Sequence, residues 1–341
     1  MKSTSLLAIL LIIVGSFVPK DFQWTNHRAA DMITIAFGSC SNQNKEQKLW
    51  DDILAEQPDI FIWLGDNIYG DSEDMQVLKK KYDKQKAHSL YQKLRESTQI
   101  LGTWDDHDYG ANDAGKEYPM KAESQQLLLD FLEVPEADAR RQRPGVYSSQ
   151  IVEKSGVTIK IILLDTRYFR DNLVKKGKAN IANWEGEILG TAQWQWLETE
   201  LQNSEADVHI IGSSIQVLAE EHRFEKWANF PLERQKLLNL IAKYDIKNSI
   251  FISGDRHIGE VATTTWLNHT IYEVTSSSLT HGWSNRREEA NQYRLGPLVY
   301  NENYGLINIT ATEDLEIELF LKSDERQIEM QEVASFRSVA N

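Results

Sequence analysis

The sequence predicts an α/β fold in which helices pack over β-sheets, and three observations support this prediction. Short β-rich runs recur along the chain, and helical stretches lie between several of them. The alternation continues from Asp31 to about Leu321 without an internal repeat or a Pro/Gly-rich linker. Such alternation is typical of helices packed over a sheet, and the strand-rich C-terminal stretch indicates that part of the sheet system is antiparallel or mixed.

The predicted strands are apolar runs rich in β-branched residues, which favour the extended backbone. In chain order they cover residues 32–39, 59–66, 99–106, 157–165, 207–214, 248–255, 270–277, 305–310 and 315–322. The last three supply the strand-rich C-terminal stretch.

The predicted helices show apolar residues at a spacing of three or four positions. They cover residues 45–56, 75–97, 120–133, 191–205 and 233–244. In the fourth helix, Trp194, Leu197 and Leu201 recur at helical spacing. We interpret this stripe as part of the core.

The N-terminus differs from the rest of the chain. Lys2 precedes an apolar run at residues 6–18, which has the length of a signal-peptide core and is short for a bilayer span. The small residues Gly15 and Ser16 offer a cleavage point. We therefore expect a signal peptide at residues 1–20, a single catalytic domain at residues 21–341 and a periplasmic or secreted protein. An uncleaved N-terminal membrane anchor is the alternative.

The composition excludes several classes of protein. Of 341 residues, 41% are hydrophobic and 26% charged, which excludes a disordered or membrane-embedded chain. The formal net charge of −14 makes general binding of nucleic acid unfavourable, because phosphates need a basic surface. The single cysteine, Cys40, excludes an intramolecular disulfide framework and a multi-cysteine metal site.

Polar clusters follow many of the predicted strands. They are GSC at 38–40, GDNIYGD at 65–71, WDDHDYGAND at 104–113, DTRYFR at 165–170, GSS at 212–214 and SGDRH at 253–257. Ligands of α/β proteins bind beyond the carboxyl ends of strands, where neighbouring loops converge. A series of such clusters therefore predicts a site at this edge.

The residue types in these clusters point to bound metal ions. The chain has no P-loop, dinucleotide-binding, nucleophile-elbow or zincin motif. Instead it offers hard oxygen ligands together with two imidazoles, a thiol and a phenol: Asp66, Asp71, Asp105, Asp106, Asp108, Asp113, Asp255, His107, His257, Cys40 and Tyr69. Crowded carboxylates repel one another unless cations neutralise them, so these residues predict a polynuclear metal site.

The motifs carry a family resemblance. FGSC, WLGDNIYGD, GTWDDHDYGANDAG, LLDTRYFR and SGDRHIGE occur in this order over roughly residues 35–260. With them the sequence resembles the PhoD-like alkaline phosphatases, a branch of the calcineurin-like metallophosphatases. GSC takes the place of the D-x-H motif that opens general metallophosphatases. The resemblance implies an αββα sandwich, in which two packed mixed β-sheets are flanked by helices.

The resemblance also implies a ligand set. Asp66 would bridge two metals, and the full set of expected ligands is Cys40, Asp66, Tyr69, Asp106, Asn112, Asp255 and His257. The expected ions are Fe³⁺ and Ca²⁺, with zinc, manganese or magnesium as alternatives. The D-x-H spacing independently places Asp255 and His257 on one face of an extended segment, within reach of one metal.

The expected catalytic residues are His107, Arg167 and Asp105. By resemblance, His107 protonates the leaving group or steadies the transition state, and Arg167 is a candidate clamp for phosphate oxygens. Asp105 either orients His107 or caps a turn.

The resulting hypothesis is an exported phosphoric ester hydrolase that cleaves phosphate monoesters, diesters or both with metal-activated water. The first alternative is a phosphodiesterase or phospholipase-type enzyme acting on lipid, nucleotide or polymer diesters. A second alternative is a non-catalytic metal- or phosphate-binding protein. The expected partner is a small-molecule or lipid phosphate ester, with no nucleic acid as a structural partner and at most peripheral membrane contact.

Overall fold

The computed structural model describes residues 32–283, 288–311 and 315–336. The expected signal peptide at residues 1–20 lies outside the described residues. Within these ranges, every helix is too short or too polar to span a bilayer.

The described strands form two large sheets and one small hairpin. In chain order they are β1 (Met32–Gly38), β2 (Ile60–Leu64), β3 (Gln99–Thr103), β4 (Ser148–Lys154), β5 (Val157–Leu163), β6 (Val174–Lys176), β7 (Ala179–Ile181), β8 (Val208–Gly212), β9 (Ser249–Ser253), β10 (Gly259–Trp266), β11 (His269–Ser276), β12 (Arg294–Val299), β13 (Tyr304–Thr310), β14 (Glu316–Lys322) and β15 (Ile328–Val333).

The described α-helices lie between strands on the outer faces of the sheets. They are α1 (Leu49–Ala55), α2 (Met75–Lys86), α3 (Ser89–Ser97), α4 (Asp106–Tyr109), α5 (Lys121–Phe131), α6 (Gly190–Gln202) and α7 (Pro231–Lys243).

Both large sheets are mixed. The first has the order β15-β14-β13-β1-β2-β3, in which β1, β2 and β3 are parallel and the other pairs antiparallel. The second has the order β12-β10-β11-β9-β8-β5-β4, with a parallel centre from β5 to β11. β6 and β7 form the separate hairpin.

Alternating side chains divide each sheet into an inner and an outer face. In β2, Ile60, Ile62 and Leu64 join a core shared by strands of both sheets, whereas Phe61 and Trp63 cluster with side chains of α1, α2, α3 and α5. Each fully buried large apolar side chain of this kind contributes about 1.5–3 kcal/mol.

The second sheet repeats this arrangement. Ile210 of β8 belongs to the core between the sheets, and its neighbour Ile211 packs with Trp194 of α6 and Leu237 of α7. The layers are therefore helix, sheet, sheet, helix, and the expected sandwich of two mixed sheets flanked by helices is confirmed.

The predicted elements are found with small shifts at their ends, except for one helix. The predicted helix at 75–97 is two helices, because the chain leaves α2 at Ala87 and His88 adopts an extended backbone (φ −62, ψ 122) before α3. Six further strands have no counterpart among those predicted from the sequence: β4, β6, β7, β10, β12 and β15.

Candidate metal centre

The candidate site lies where strands of the two sheets end together. β1, β2 and β3 are parallel, so the segments that follow them emerge at one edge of the first sheet. The turn after β9 of the second sheet reaches the same edge. A Cβ at Gly254 in that turn would lie 2.5 Å from Ser39 Oγ and 3.0 Å from the Leu64 carbonyl oxygen. Only glycine therefore allows this close approach.

Four of the expected metal ligands have left-handed backbone conformations. The φ angles of Cys40, Asp66, Asp255 and His257 are 58°, 48°, 69° and 54°. Aspartate and histidine tolerate this region better than most residues, but cysteine adopts it rarely, and a non-glycine residue held there costs on the order of 1–3 kcal/mol. Strain of this kind concentrates at functional sites, because it fixes side chains in positions that relaxed backbone would not give.

Asp66 is shared by two groups of side chains that could each hold a metal ion. Cys40, Asp66 and His257 form one group, and Asp66, Asp106 and His107 form the other. Within each group the donor atoms lie within 4.8 Å of one another. Cys40 Sγ lies 3.5 Å from Asp66 Oδ2. A carboxylate common to two donor groups is suited to bridging two cations.

Tyr69 is joined to the first donor group through its hydroxyl. Its oxygen lies 3.0 Å from His257 Nε2 and 3.0 Å from His281 Nε2. His281 is fixed in turn by Thr280, whose Oγ1 lies 2.9 Å from His281 Nδ1. The phenol of Tyr69 thus lies beside the expected ligand His257, and it also contacts His281, which was not among the site residues predicted from the sequence.

His107 is oriented by Asp71. The Nδ1 atom of His107 lies 2.7 Å from Asp71 Oδ1, and its ring lies against Tyr69 with centroids 4.4 Å apart. Burial lowers the pKa of His107, but the hydrogen bond with Asp71 and the carboxylates of Asp66 and Asp106 outweigh this effect and raise it to about 10. Because Nδ1 of His107 is hydrogen-bonded to Asp71, Nε2 is the ring nitrogen that can exchange a proton.

Asp105 does not orient His107. It precedes α4 at the N-cap position and its carboxylate pairs with the guanidinium of Arg167, with Arg167 Nε donating to Asp105 Oδ1 at 2.6 Å. This geometry corresponds to the second of the two alternatives for Asp105, a position at the start of a turn.

Arg167 does not line the cavity at this site. Its side chain is fully buried, and Nη1 donates to Glu225 Oε2 at 2.8 Å while Nε is held by Asp105. Glu225 also pairs with Arg170, whose Nε lies 2.9 Å from Glu225 Oε1. This placement does not fit the predicted role of Arg167 as a substrate clamp. The guanidinium compensates buried carboxylates instead.

Asp108 ties the strand ends together. Its carboxylate accepts from the backbone N–H groups of Asp105 at 2.8 Å and Asp66 at 3.0 Å, and from Asn67 Nδ2 at 2.7 Å. Burial raises the pKa of Asp108 to about 8. Asp108 therefore holds the segments after β2 and β3 against each other.

A cavity of about 400 Å³ contains most of the expected site residues. Asp66, Asp106, Asp255, His107 and His257 line it, and Asn112 lies exposed in its wall. Asp106 Oδ2 accepts from the backbone N–H of Asp113 at 2.7 Å, so this ligand is fixed as well. The remaining lining residues are Asp113, Lys175, Gly177, Lys178, Asn180, Arg223, Phe224, Glu225, Arg256 and Trp283.

The electrostatics of the centre favour a bound cation. Burial raises the pKa of Asp66 well above its usual range, and Asp106 raises it further. The pKa of Asp255 is also raised, first by burial and then by the charge of Asp105. The pKa of the Cys40 thiol is raised by burial and then by the charge of Asp66. Burial, reinforced by His281, lowers the pKa of His257 to about 3. Metal ions stabilise the deprotonated forms of all these groups, so the donor set fits a metal centre.

Three residues of the site have roles that were not predicted from the sequence. Asp71 belongs to the GDNIYGD cluster and was counted only as a potential oxygen ligand. His281 follows β11 in a loop with no recognisable spacing, and Glu225 lies in the long segment between β8 and α7. No pattern in the sequence joins His281 or Glu225 to the strand-end clusters. Only the fold brings them there.

Comparison with known proteins shows that most of the chain matches one protein family. Residues 35–319 match the family model described as PhoD-like phosphatase. A curated relative, alkaline phosphatase D of Bacillus subtilis (strain 168), is 22% identical over 297 residues, which is 72% of this chain and 49% of that protein. The chain thus spans about half the length of the curated relative it matches.

Solved structures share the fold at low sequence identity. The structure of PhoD is 15% identical and superimposes with a TM-score of 0.70, covering 89% of this chain and 72% of that one. GAP50, described as the anchor in the inner membrane complex of Plasmodium, is 12% identical with a TM-score of 0.60 and 90% coverage of both chains. A dimetal phosphatase from Danio rerio is 12% identical with a TM-score of 0.52, covering 89% of this chain and 100% of that one.

Proposed function

Since this chain belongs to the PhoD-like phosphatase family, we propose that it is a metal-dependent hydrolase of phosphate esters. The observation that carries the proposal is the position of Asp66, whose carboxylate is shared by two groups of metal-type donors in one cavity. Hydrolytic sites with two metals need such a bridging ligand, because both ions must act on one phosphoryl group.

The expected ligands divide by their chemistry. Cys40 and Tyr69 would supply a thiolate and a phenolate, which favour Fe³⁺, while Asp106, Asn112 and Asp255 offer the oxygen ligands that Ca²⁺ prefers. Bound metals would supply Lewis acidity toward the phosphoryl oxygens and lower the pKa of a water molecule that attacks phosphorus.

His107 is proposed to give a proton to the leaving oxygen. Asp71 holds Nδ1, so Nε2 donates, and a neutral alcohol leaves more readily than an alkoxide. The tilted contact with Tyr69 restricts rotation of the His107 ring.

Arg256 takes the clamping role that Arg167 does not fill. It lines the cavity and is 3% exposed, and its Nη2 donates to Glu289 Oε2 at 2.5 Å. Its buried Nε has no hydrogen-bond partner among the described residues. A phosphoryl oxygen would satisfy this donor.

A non-catalytic role is the main competing proposal. GAP50 has this fold and is described as an anchor, so the fold by itself does not imply catalysis. The pair of His107 and Asp71 favours an enzyme, because passive binding of a metal or of phosphate does not need an imidazole oriented to give a proton to a leaving oxygen.

Metal analysis and turnover decide between these proposals. Purified protein is assayed for bound metals and for hydrolysis of one aryl phosphate monoester and one diester. Asp66→Asn is expected to lose metal and activity, and His107→Ala to keep metal but lose about 10²–10⁴-fold in rate on esters with poor leaving groups. Asp245→Asn and His269→Ala are matched controls, because this ion pair lies at the far end of the second sheet. A metal-loaded protein that hydrolyses neither ester would refute the proposal.

We also propose that the protein is exported, on the basis of the apolar run at residues 6–18 that follows Lys2. The expected result is a mature protein outside the cytoplasm that begins shortly after this run. Intact-mass measurement of exported protein checks it. Full-length protein retained in the membrane fraction would show instead that the segment is an anchor.

A further inference from the structure

Several basic side chains line the cavity although the chain as a whole is acidic. The net charge is −14, yet four of the residues that line the cavity are basic: Lys175, Lys178, Arg223 and Arg256. Basic side chains in a cleft attract anionic groups of a substrate.

Two of these cations are already engaged and two are not. Lys175 Nζ lies 2.8 Å from Asp113 Oδ2, and Arg256 is paired with Glu289. By contrast, Lys178 and Arg223 form no ion pair with any residue in the described ranges, and both are exposed. They are therefore the cations available to a second anionic group, beyond the phosphoryl oxygen proposed for Nε of Arg256.

The hairpin of β6 and β7 presents Lys178 at its turn. Lys176 pairs with Ala179 in the register, so Gly177 and Lys178 form the turn, and Gly177 has the left-handed φ of 62° that such a turn requires. Lys175 pairs with Asn180, and this face of the hairpin lines the cavity. Lys176 points to the opposite face, because side chains alternate along a strand.

Arg223 is held beside this hairpin. The backbone N–H of Asn180 donates to the Arg223 carbonyl oxygen at 2.8 Å, which joins the hairpin to the loop before α7. The guanidinium carbon of Arg223 lies 4.8 Å from the ring centroid of Phe224. Buried Lys226 fixes the loop by donating to the carbonyl oxygens of His222 at 2.5 Å and Phe224 at 3.2 Å. These contacts together fix the position of Arg223 in the loop.

We propose that Lys178 and Arg223 form a second anion subsite, and that the preferred substrates are phosphate esters whose alcohol part carries a second phosphate group. The transferred phosphoryl group would bind at the metal centre that Asp66 and Asp106 help to hold, and the second phosphate would bind between the hairpin turn and Arg223. A guanidinium fork and an ammonium group together match a phosphate dianion. The inference rests on the proposed phosphate ester hydrolysis and names the substrate class of that same site.

Matched pairs of aryl esters test the subsite in the metal-loaded protein. Phenyl phosphate is compared with benzene-1,4-diyl bisphosphate, and biphenyl-4-yl phosphate with biphenyl-4,4′-diyl bisphosphate, so that two phosphate separations are covered. We expect at least one bisphosphate to have a kcat/KM at least tenfold above its monoester, mainly through a lower KM. Because each bisphosphate carries two equivalent ester groups, statistics alone would raise its kcat/KM by only a factor of two. High ionic strength should reduce the preference, because exposed charges are screened.

Variants locate the effect. Arg223→Ala and Lys178→Ala should each raise the KM for the preferred bisphosphate toward that of its monoester, and the double variant should abolish the preference. Lys176→Ala is the control, because it removes an equal charge from the opposite face of the same hairpin, and it should keep the preference.

The outcomes separate this inference from the function on which it rests. Hydrolysis of both members of each pair with equal kcat/KM would overturn the subsite and leave the phosphoesterase proposal standing. A preference that survives in the double variant would also overturn it. Absence of hydrolysis of all four monoesters by metal-loaded protein would overturn the substrate class inferred here. It would refute the phosphoesterase proposal itself only if the aryl diester is not hydrolysed either.

Discussion

At the residue scale, Asp71 determines how the ring of His107 is presented to a substrate. Asp71→Ala removes the partner of Nδ1, so kcat should fall by about 10–100-fold on esters with poor leaving groups, while metal content stays constant. Asp71→Asn keeps an acceptor and should lose less. Glu73→Ala, an exposed acid two positions along, should have no effect. Equal loss on aryl esters with good and poor leaving groups would argue against a role in proton transfer.

Tyr69 gives a second prediction at this scale. Burial raises the pKa of its phenol far above the ordinary value of 10.0, so ionisation requires a cation beside the oxygen. Tyrosinate bound to Fe³⁺ gives colour, and Tyr69→Phe should abolish or shift the visible band. His281→Ala should shift it more weakly, because His281 hydrogen-bonds the same oxygen. His269→Ala should leave the spectrum unchanged, and a colourless, iron-free but fully active enzyme would exclude iron at this position.

Single residues also show how far sequence can predict a site. Asp66, Asp106, Asp255 and His257 lie within a few residues of the ends of β2, β3 and β9, and the structure brings them to one cavity. Arg167 follows a strand too, but its side chain turns inward to Asp105 and Glu225. The direction in which a side chain points after a strand depends on the local backbone and on partners distant in sequence. A sequence motif contains neither kind of information.

At the scale of elements, two buried acids hold the segment that leads from β8 to the cavity wall. Glu273 on β11 accepts from the backbone N–H groups of Val217 at 2.8 Å and Leu218 at 2.7 Å, and Glu260 on β10 accepts from Gln216 at 2.7 Å. This segment continues into the loop that carries Arg223. The geometry of the cavity wall therefore depends on the second sheet.

The pKa of Glu273 makes the stability of this region depend on pH. Burial raises it from 4.5 to about 7, against the opposing effect of the backbone hydrogen bonds from Val217 and Leu218. The folded state therefore keeps a proton that the unfolded state has already released. The stabilisation is complete below about pH 4.5 and is lost as the pH rises through about 7.

Glu273→Gln tests this dependence, because glutamine resembles the protonated acid. The free energy of unfolding of the wild type, relative to the variant, should fall by about 2–3 kcal/mol between pH 4.5 and 8. Denaturant titrations at several pH values measure it. Glu316→Gln, an exposed acid on β14, should give a curve parallel to the wild type. Parallel curves for Glu273→Gln would contradict the prediction.

The elements that sequence predicted differ physically from those it did not. The central strands β1, β2, β8 and β9 are buried on both faces and appear as unbroken apolar runs. The missed strands are mostly more polar and lie toward sheet edges, as in β15, whose residues are all at least partly exposed. These strands form because they pair with a neighbouring strand, so their own sequences show little of the pattern that predicts a strand.

At the scale of the whole molecule, the distribution of charge makes the folded state less stable when no metal ion is bound at the centre. The chain is acidic, and it buries Asp66, Asp105, Asp106 and Asp108 at one sheet edge, where Arg167 offsets part of the charge. The apo protein must keep these carboxylates together against their mutual repulsion. We infer that the stability of the fold and the occupancy of the centre are linked.

Asp66→Asn should therefore change stability in opposite directions with and without metal. In chelator-treated protein the variant removes a buried carboxyl group whose pKa is raised by burial and by Asp106. The cost of burying its charge, or of protonating it on folding, disappears, so the Tm of the variant should exceed that of the apo wild type. Asparagine tolerates the left-handed φ of 48° and can still accept from the His107 backbone N–H, so the substitution adds little strain.

With metal added, the order should reverse. The wild type should gain about 2.7 kcal/mol when free metal reaches a hundredfold excess over its Kd, and the variant should gain far less. Asp245→Asn is the control, because Asp245 also has a left-handed backbone (φ 49°) but lies outside the cavity. Thermal unfolding of the three proteins, each with chelator and with metal, measures both effects. An apo variant less stable than the apo wild type would mean that repulsion among these carboxylates does not limit the stability of the empty centre, and a full metal response in the variant would show that Asp66 is not a ligand.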